Sequence, residues 1–90
     1  MIFGSQECFD YIYNKIKDDD YILDFFYEIA KSRVVIKVTN RRFPGVVSHT
    51  FIRKDLWEDK FALAMVLSRF KTDYKKAFKS LKEATNNLQI

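Results

Sequence analysis

Residues Tyr21–Lys31, YILDFFYEIAK, follow directly on Asp18-Asp19-Asp20, and the fold turns on how they are read. Three consecutive aspartates are a poor helix interior and a good helix start, because a carboxylate accepts free backbone N–H groups and complements the helix dipole. Behind them Ile22, Phe25, Phe26 and Ile29 recur at the helical spacing i, i+3, i+4, i+7, and Leu23 and Ala30 widen that face. The spacing predicts a second helix ending near Ser32.

Outward from this segment the period changes twice. Upstream, Ser5 caps a first helix whose apolar face is Phe9, Ile12, Tyr13 and Ile16. Downstream, Val34–Thr39 alternates and is rich in β-branched residues, which suits a half-buried strand. Asn40-Arg41-Arg42-Phe43-Pro44-Gly45 reads as a loop. Val46–Ile52 resumes a strand, with Val47, His49 and Phe51 on one face and Val46, Ser48, Thr50 and Ile52 on the other. The two strands make an antiparallel hairpin, and helices must cover one face of it, since an isolated hairpin is marginal in water.

Asp55-Leu56-Trp57-Glu58 resembles a capping box. The helix it opens runs through Phe61, Ala64, Met65 and Ser68. Its segment FALAMVL is apolar nearly all round, which predicts a position at the centre of the core. Phe70, Tyr74, Ala77, Phe78, Leu81, Ala84 and Leu88 continue one stripe. An unbroken helix over residues 56–86 would be roughly 45 Å long, against a radius of gyration of about 12 Å for a compact chain of this length. A break near Lys71-Thr72-Asp73, with Thr72 capping a fourth helix, is one reading; a single helix is the other. The fold class is then α+β: one small domain over residues 1–90, in the order α-α-β-β-α(-α), with a two-stranded antiparallel hairpin packed on helices.

Composition narrows the function. Ninety residues with 48% apolar content can bury a modest core. Cys8, the single cysteine, cannot form an internal disulfide, which fits a reducing, cytoplasmic setting. No stretch is apolar enough to span a membrane, and the first residues lack the features of a signal peptide, so no membrane contact is expected. The net charge of +4 is polarised: residues 1–32 hold three lysines against seven acids, and residues 33–90 hold thirteen Lys or Arg against five.

That polarity selects the candidate site. Lys71, Lys75, Lys79 and Lys82 fall within one quarter of a helix circumference, beside the stripe of Phe70, Tyr74, Phe78 and Leu81, with Arg69 and Lys76 extending the charge. Such a row could bind phosphates, could be a solvated face with snorkelling stems, or could pair with Asp18, Asp19, Asp20, Asp24 and Glu28. Arg41, Arg42 and Phe43 stand together at the hairpin tip: the guanidinium forks suit phosphate or carboxylate, and the ring could stack on a base, plug a pocket or fold onto the core. Arg53 and Lys54 at the hairpin base would carry the basic surface on towards the lysine helix.

Other signals point away from catalysis. His49 has no second histidine at metal spacing and reads as structural, and Cys8 reads as an apolar filler. The aspartate run lacks the ligand loop of a cation site. There is no P-loop, GxGxxG or nucleophile elbow, so the chain is expected to be no enzyme and to carry no metal and no cofactor. Trp57 and Tyr11, Tyr13, Tyr21, Tyr27 and Tyr74 are too many for all their polar tips to be buried and satisfied; the surplus favours a protein partner or self-association. A winged helix-turn-helix is rejected, because the helix before its wing would be the acidic YILDFFYEIAK.

The stretches FDYIYNKIKDDDYILDFFYEIAKS and KKAFKSLKEATNN, rich in Lys, Phe, Tyr, Ile and Asn, give the whole chain a composition that resembles the small accessory proteins of tailed phages, including those that disarm host defences. The resemblance is compositional and carries no motif. It implies a non-catalytic inhibitor working in the host cytoplasm by occupying a surface. The reading from the residues is a binding protein that uses a basic surface to occupy a nucleic-acid-handling protein partner, with RNA more than DNA as a further contact. The alternative is a homodimer or complex subunit that touches no nucleic acid.

Overall fold

The computed structural model describes the backbone over residues 2–88 and the side chains over residues 2–80, 82 and 83. The elements run α1 (Gln6–Ile16), β1 (Tyr21–Glu28), a 3-10 turn (Ile29–Lys31), β2 (Arg33–Asn40), β3 (Val47–Arg53), α2 (Lys54–Glu58) and α3 (Lys60–Leu88). They form an α+β fold of two layers. A three-stranded antiparallel sheet, ordered β1-β2-β3, carries the helices on one face.

The first helix forms as its pattern predicts. The Ser5 hydroxyl accepts from the Cys8 N–H, and Cys8, Ile12 and Ile16 are buried, although Tyr13 faces solvent. The helix ends at Lys17. Asp18 then closes a turn, its carboxylate accepting the Asp20 N–H at 3.0 Å and its carbonyl the Tyr21 N–H. The aspartates therefore terminate one element and do not cap another.

The largest correction concerns Tyr21–Glu28, which is a strand and not a helix. Ile22, Phe26 and Ile29, three of the four residues of the expected helical face, are exposed, while Tyr21 is buried and Leu23, Phe25 and Tyr27 pack against the core. In a run this short the periods of 3.6 and 2 both fit, and the aromatic and β-branched content favours the pleated form. Pairing also decides it. Every residue of β1 registers with one of β2, from Tyr21↔Asn40 to Glu28↔Arg33, and so satisfies an edge of β2 that a helix would leave bare. The hairpin is thus part of a three-stranded meander. The link between β1 and β2 turns through Ser32, at φ 46°.

At the start of β1's partner segment, the N-terminal chain lies against the sheet end. Gly4, at φ +82°, lets the Tyr27 ring approach to where a Cβ would stand.

The C-terminal half also departs from expectation. The capping box at Asp55 is absent: α2 starts after Arg53 with no side-chain cap. The chain kinks at Asp59, whose carboxylate accepts the Ala62 N–H at 3.1 Å and caps α3. Helix α3 then runs unbroken for 29 residues, with the Thr72 hydroxyl donating to the Ser68 carbonyl inside it and capping nothing. Of FALAMVL, Leu63 and Leu67 are buried, while Phe61 and Met65 are 79% and 62% exposed. The segment is apolar all round but packs on one side only. The continued stripe at Leu81, Ala84 and Leu88 lies outside the described side chains. Compactness did not force a break because α3 projects beyond the sheet: the molecule is 51 Å long but only 23 by 21 Å across. Among the described residues no helix is long and apolar enough to cross a membrane.

Candidate functional site

An aromatic cluster places the loop of Arg41–Val46 against α3. Tyr21 meets Tyr74 edge-on at 4.5 Å between centroids and Phe78 at 5.8 Å; Phe70 meets Tyr74 at 5.5 Å, and Phe43 meets Phe78 at 5.9 Å. Tyr74 is buried and donates its hydroxyl to the Ile16 carbonyl, tying α3 to the end of α1. Burial, then the charge of Asp18 and the neighbouring Tyr21, raise the Tyr74 hydroxyl well above its usual range. Burial likewise raises Tyr21. The Tyr21 hydroxyl and the Asn40 Nδ2 are both enclosed with no hydrogen-bond partner of normal geometry.

Asn40 shapes the loop from beneath. Its Oδ1 accepts the N–H groups of Arg42 and Phe43 at 2.9 and 3.1 Å, and the Val46 N–H closes the turn on the Phe43 carbonyl at 2.8 Å. Phe43 is half-buried on Phe78; it is not an outward ring. Arg41 is engaged too. Its Nε donates to the Asp19 carbonyl at 2.9 Å and its backbone N–H to the Asp20 carbonyl at 3.0 Å. Arg42 keeps an exposed side chain.

Within the lysine row, Lys75 pairs with Asp18 at 3.3 Å. The Asp18 carboxyl is held below the usual carboxylate range, first by the Asp20 N–H and then by Lys75 and Lys71. The reading in which the acids answer the lysines therefore holds at this one pair, and not for Asp24 or Glu28, which lie on the far side of the sheet. Lys71 is half-buried, and Lys76, Lys79 and Lys82 are exposed with no acid partner among the described residues.

Arg53 and Lys54 do not join this surface. The register pairs Arg53 with Arg33 at the opposite end of the sheet from the 41–46 loop. There Arg33, Arg53 and Lys54 line a shallow hollow with Lys31, Ser32 and Asp55. An antiparallel hairpin necessarily puts its tip and its base at opposite ends. Buried Cys8 is an apolar filler, its thiol pushed up by desolvation. No group of three His, Cys, Asp or Glu able to hold a metal occurs among the described residues.

The surface that sequence reasoning missed is the outer face of the sheet. Reading across the strands, its rows are Ile22–Thr39–Val47, Asp24–Lys37–His49, Phe26–Val35–Phe51 and Glu28–Arg33–Arg53. Phe26 and Phe51 are 51% and 44% exposed. The Arg33 guanidinium lies 4.5 Å from the Phe51 centroid and binds Glu28 through Nε and Nη2 at 3.3 and 3.2 Å. The local signal for this face was the aromatic and β-branched content of Tyr21–Glu28 with Asp24 and Glu28 at one parity; Ile22 and Phe26 at the same parity hid it.

No family model matches the chain, and neither a curated protein nor a solved structure matches it.

Proposed function

We propose that this chain is a non-catalytic binding protein that occupies a nucleic-acid-handling partner through a basic ridge, with an RNA phosphate backbone as the contact the ridge fits best. The ridge is Arg42 with Lys71, Lys75, Lys79 and Lys82, extended by Lys76. The observation that carries the reading is the projection of α3. Past its last described core contact at Phe78, the helix continues to Leu88 with Lys79, Ser80, Lys82 and Glu83 all exposed. A helical arm that leaves the body with Lys79 and Lys82 against one acid, Glu83, carries a net positive charge that the body of the fold does not answer and that an anion stabilises.

Spacing agrees. Lysines four residues apart on one flank stand about 6 Å apart along the axis, a repeat that suits successive phosphates of one strand. Phe43 and Arg41 act in this scheme by positioning: they fasten the loop to Phe78 and to Asp19, so that Arg42 sits beside the lysines. The phage-like composition supports the further reading that the chain is an inhibitor of a host nucleic-acid-handling system.

The test is fluorescence anisotropy with single-stranded RNA, duplex RNA and duplex DNA over a salt series. Contact with three to four phosphates predicts a slope of log affinity against log salt of about −3. Replacing Lys76, Lys79 and Lys82 together by Ala should lower affinity about 100-fold or more with no change in melting temperature. Absence of binding to every probe at low salt would defeat the reading.

A further inference from the structure

We infer that the outer face of the sheet is a self-association surface, on which a second copy of this chain docks about a two-fold axis running along β2. The argument is one of self-complementarity. Such an axis lays β1 of one copy over β3 of the other and keeps each row of the sheet facing itself in reverse. Glu28 then faces Arg53 of the second copy, Phe26 faces Phe51, Asp24 faces His49 and Ile22 faces Val47. Every pairing across the axis is acid against base or apolar against apolar. A two-fold perpendicular to the strands does not have this property, because it stacks the Glu28 row on the Ile22 row.

On the axis itself Val35 and Thr39 meet their own copies, and so do Arg33 and Lys37. Arg33 enters already neutralised by Glu28 and folded over the Phe51 ring. Lys37 lies opposite Asp24 in its own sheet. Glu28 must then serve Arg33 of its own copy and Arg53 of the other, and Lys37, which forms no ion pair among the described residues, meets its own copy with Asp24 in the neighbouring register position. Packed sheets cross at about 30°: the facing rows slip along the strands by less than one row spacing, and the end rows, about 10 Å from the centre, shift sideways by about one strand spacing, a gap the long Glu28 and Arg53 side chains can span. The face covers roughly 25 by 14 Å, small for a permanent dimer, which predicts a weak, reversible association.

The same surface has a second claimant in principle, since aromatics beside arginines also stack bases. Two features favour the second copy. The acids Asp24 and Glu28 lie along β1 and repel phosphate, and in the two-fold arrangement those same acids are the groups that β3 requires.

Sedimentation velocity on the full chain tests this. The wild type should move from monomer to dimer as its concentration rises from about 1 μM to about 1 mM. Glu28→Arg alone and Arg53→Glu alone should each stay monomeric, because each variant places like charges opposite one another twice. An equal mixture of the two variants should dimerise, because both cross-axis pairs are then opposite in sign. A wild type that remains monomeric at about 1 mM overturns the inference, whatever the variants do. So does a mixture that associates no better than its components, or single variants that dimerise like the wild type. A monomeric wild type whose RNA affinity falls on Phe51→Ser would overturn it in favour of nucleic acid on this face. None of these outcomes depends on the α3 ridge.

Discussion

The two faces of the sheet are built from nearly the same residue types and serve opposite ends. Tyr21, Leu23, Phe25, Val34, Ile36, Val38 and Ile52 point to the helices and form or pack on the core. Ile22, Phe26, Val35, Val47 and Phe51 point the other way, and nothing among the described residues covers them. Apolar content does not separate the two sets. The charges do: the inner face holds none, whereas Asp24, Glu28, Arg33, Lys37 and Arg53 are threaded through the outer one. Any helix laid on that side would have to desolvate several ions, at several kcal/mol each before pairing. A second sheet that presents matching charges desolvates them too but offsets the cost by pairing them.

This contrast is open to direct attack. Ile36, fully buried at the centre of the inner face, should lose about 3 kcal/mol of unfolding free energy on replacement by Ala, read from denaturant midpoints. A loss below about 1 kcal/mol would mean that the helices do not seal that face.

At the rim of the inner layer, Asp18→Asn should cost about 1 kcal/mol at neutral pH by releasing Lys75 and weakening the turn. The sign with pH follows from the lowered carboxyl. Its contribution is present above the unfolded carboxylate range, near 4, and is lost as pH falls through the lower folded value. The difference between wild type and variant should therefore shrink in acid. A constant gap would assign the effect to the side chain's shape and not its charge.

The smallest effect belongs to Phe26→Ala, which should change stability by less than about 0.5 kcal/mol in dilute monomer. A core-sized loss there would erase the distinction between the faces.

The same threading of charge explains what the sequence did not reveal. The first helix, the loop around Arg41–Gly45 to within a residue at each end, the β2–β3 hairpin and the buried Cys8 were all legible, because each rests on local signals: a capping serine, a clean alternation, a Pro-Gly turn. Tyr21–Glu28 was not. Its apolar residues satisfy both periods, and the choice was made by the open edge of β2, a hydrogen-bonding partner that lies outside any local window on the chain.

 The lysine row was legible as a row, since 100° per residue is local geometry. Its pairing with Asp18, the seating of Phe43 on Phe78 and the separation of Arg53 from the loop were not, because each joins residues far apart along the chain.

By itself, the order of residues determined that this protein is α+β, that its positive charge gathers in the C-terminal half, and that one flank of its last helix is a line of lysines. These follow from composition and from periods that each segment carries alone. Only the tertiary structure decided which aromatics are core and which are surface, that α3 runs on past the sheet, and that an uncovered, charge-threaded sheet face exists. Those outcomes depend on which backbone edges find partners and which charges can be left in water, and both are settled between segments and not within them.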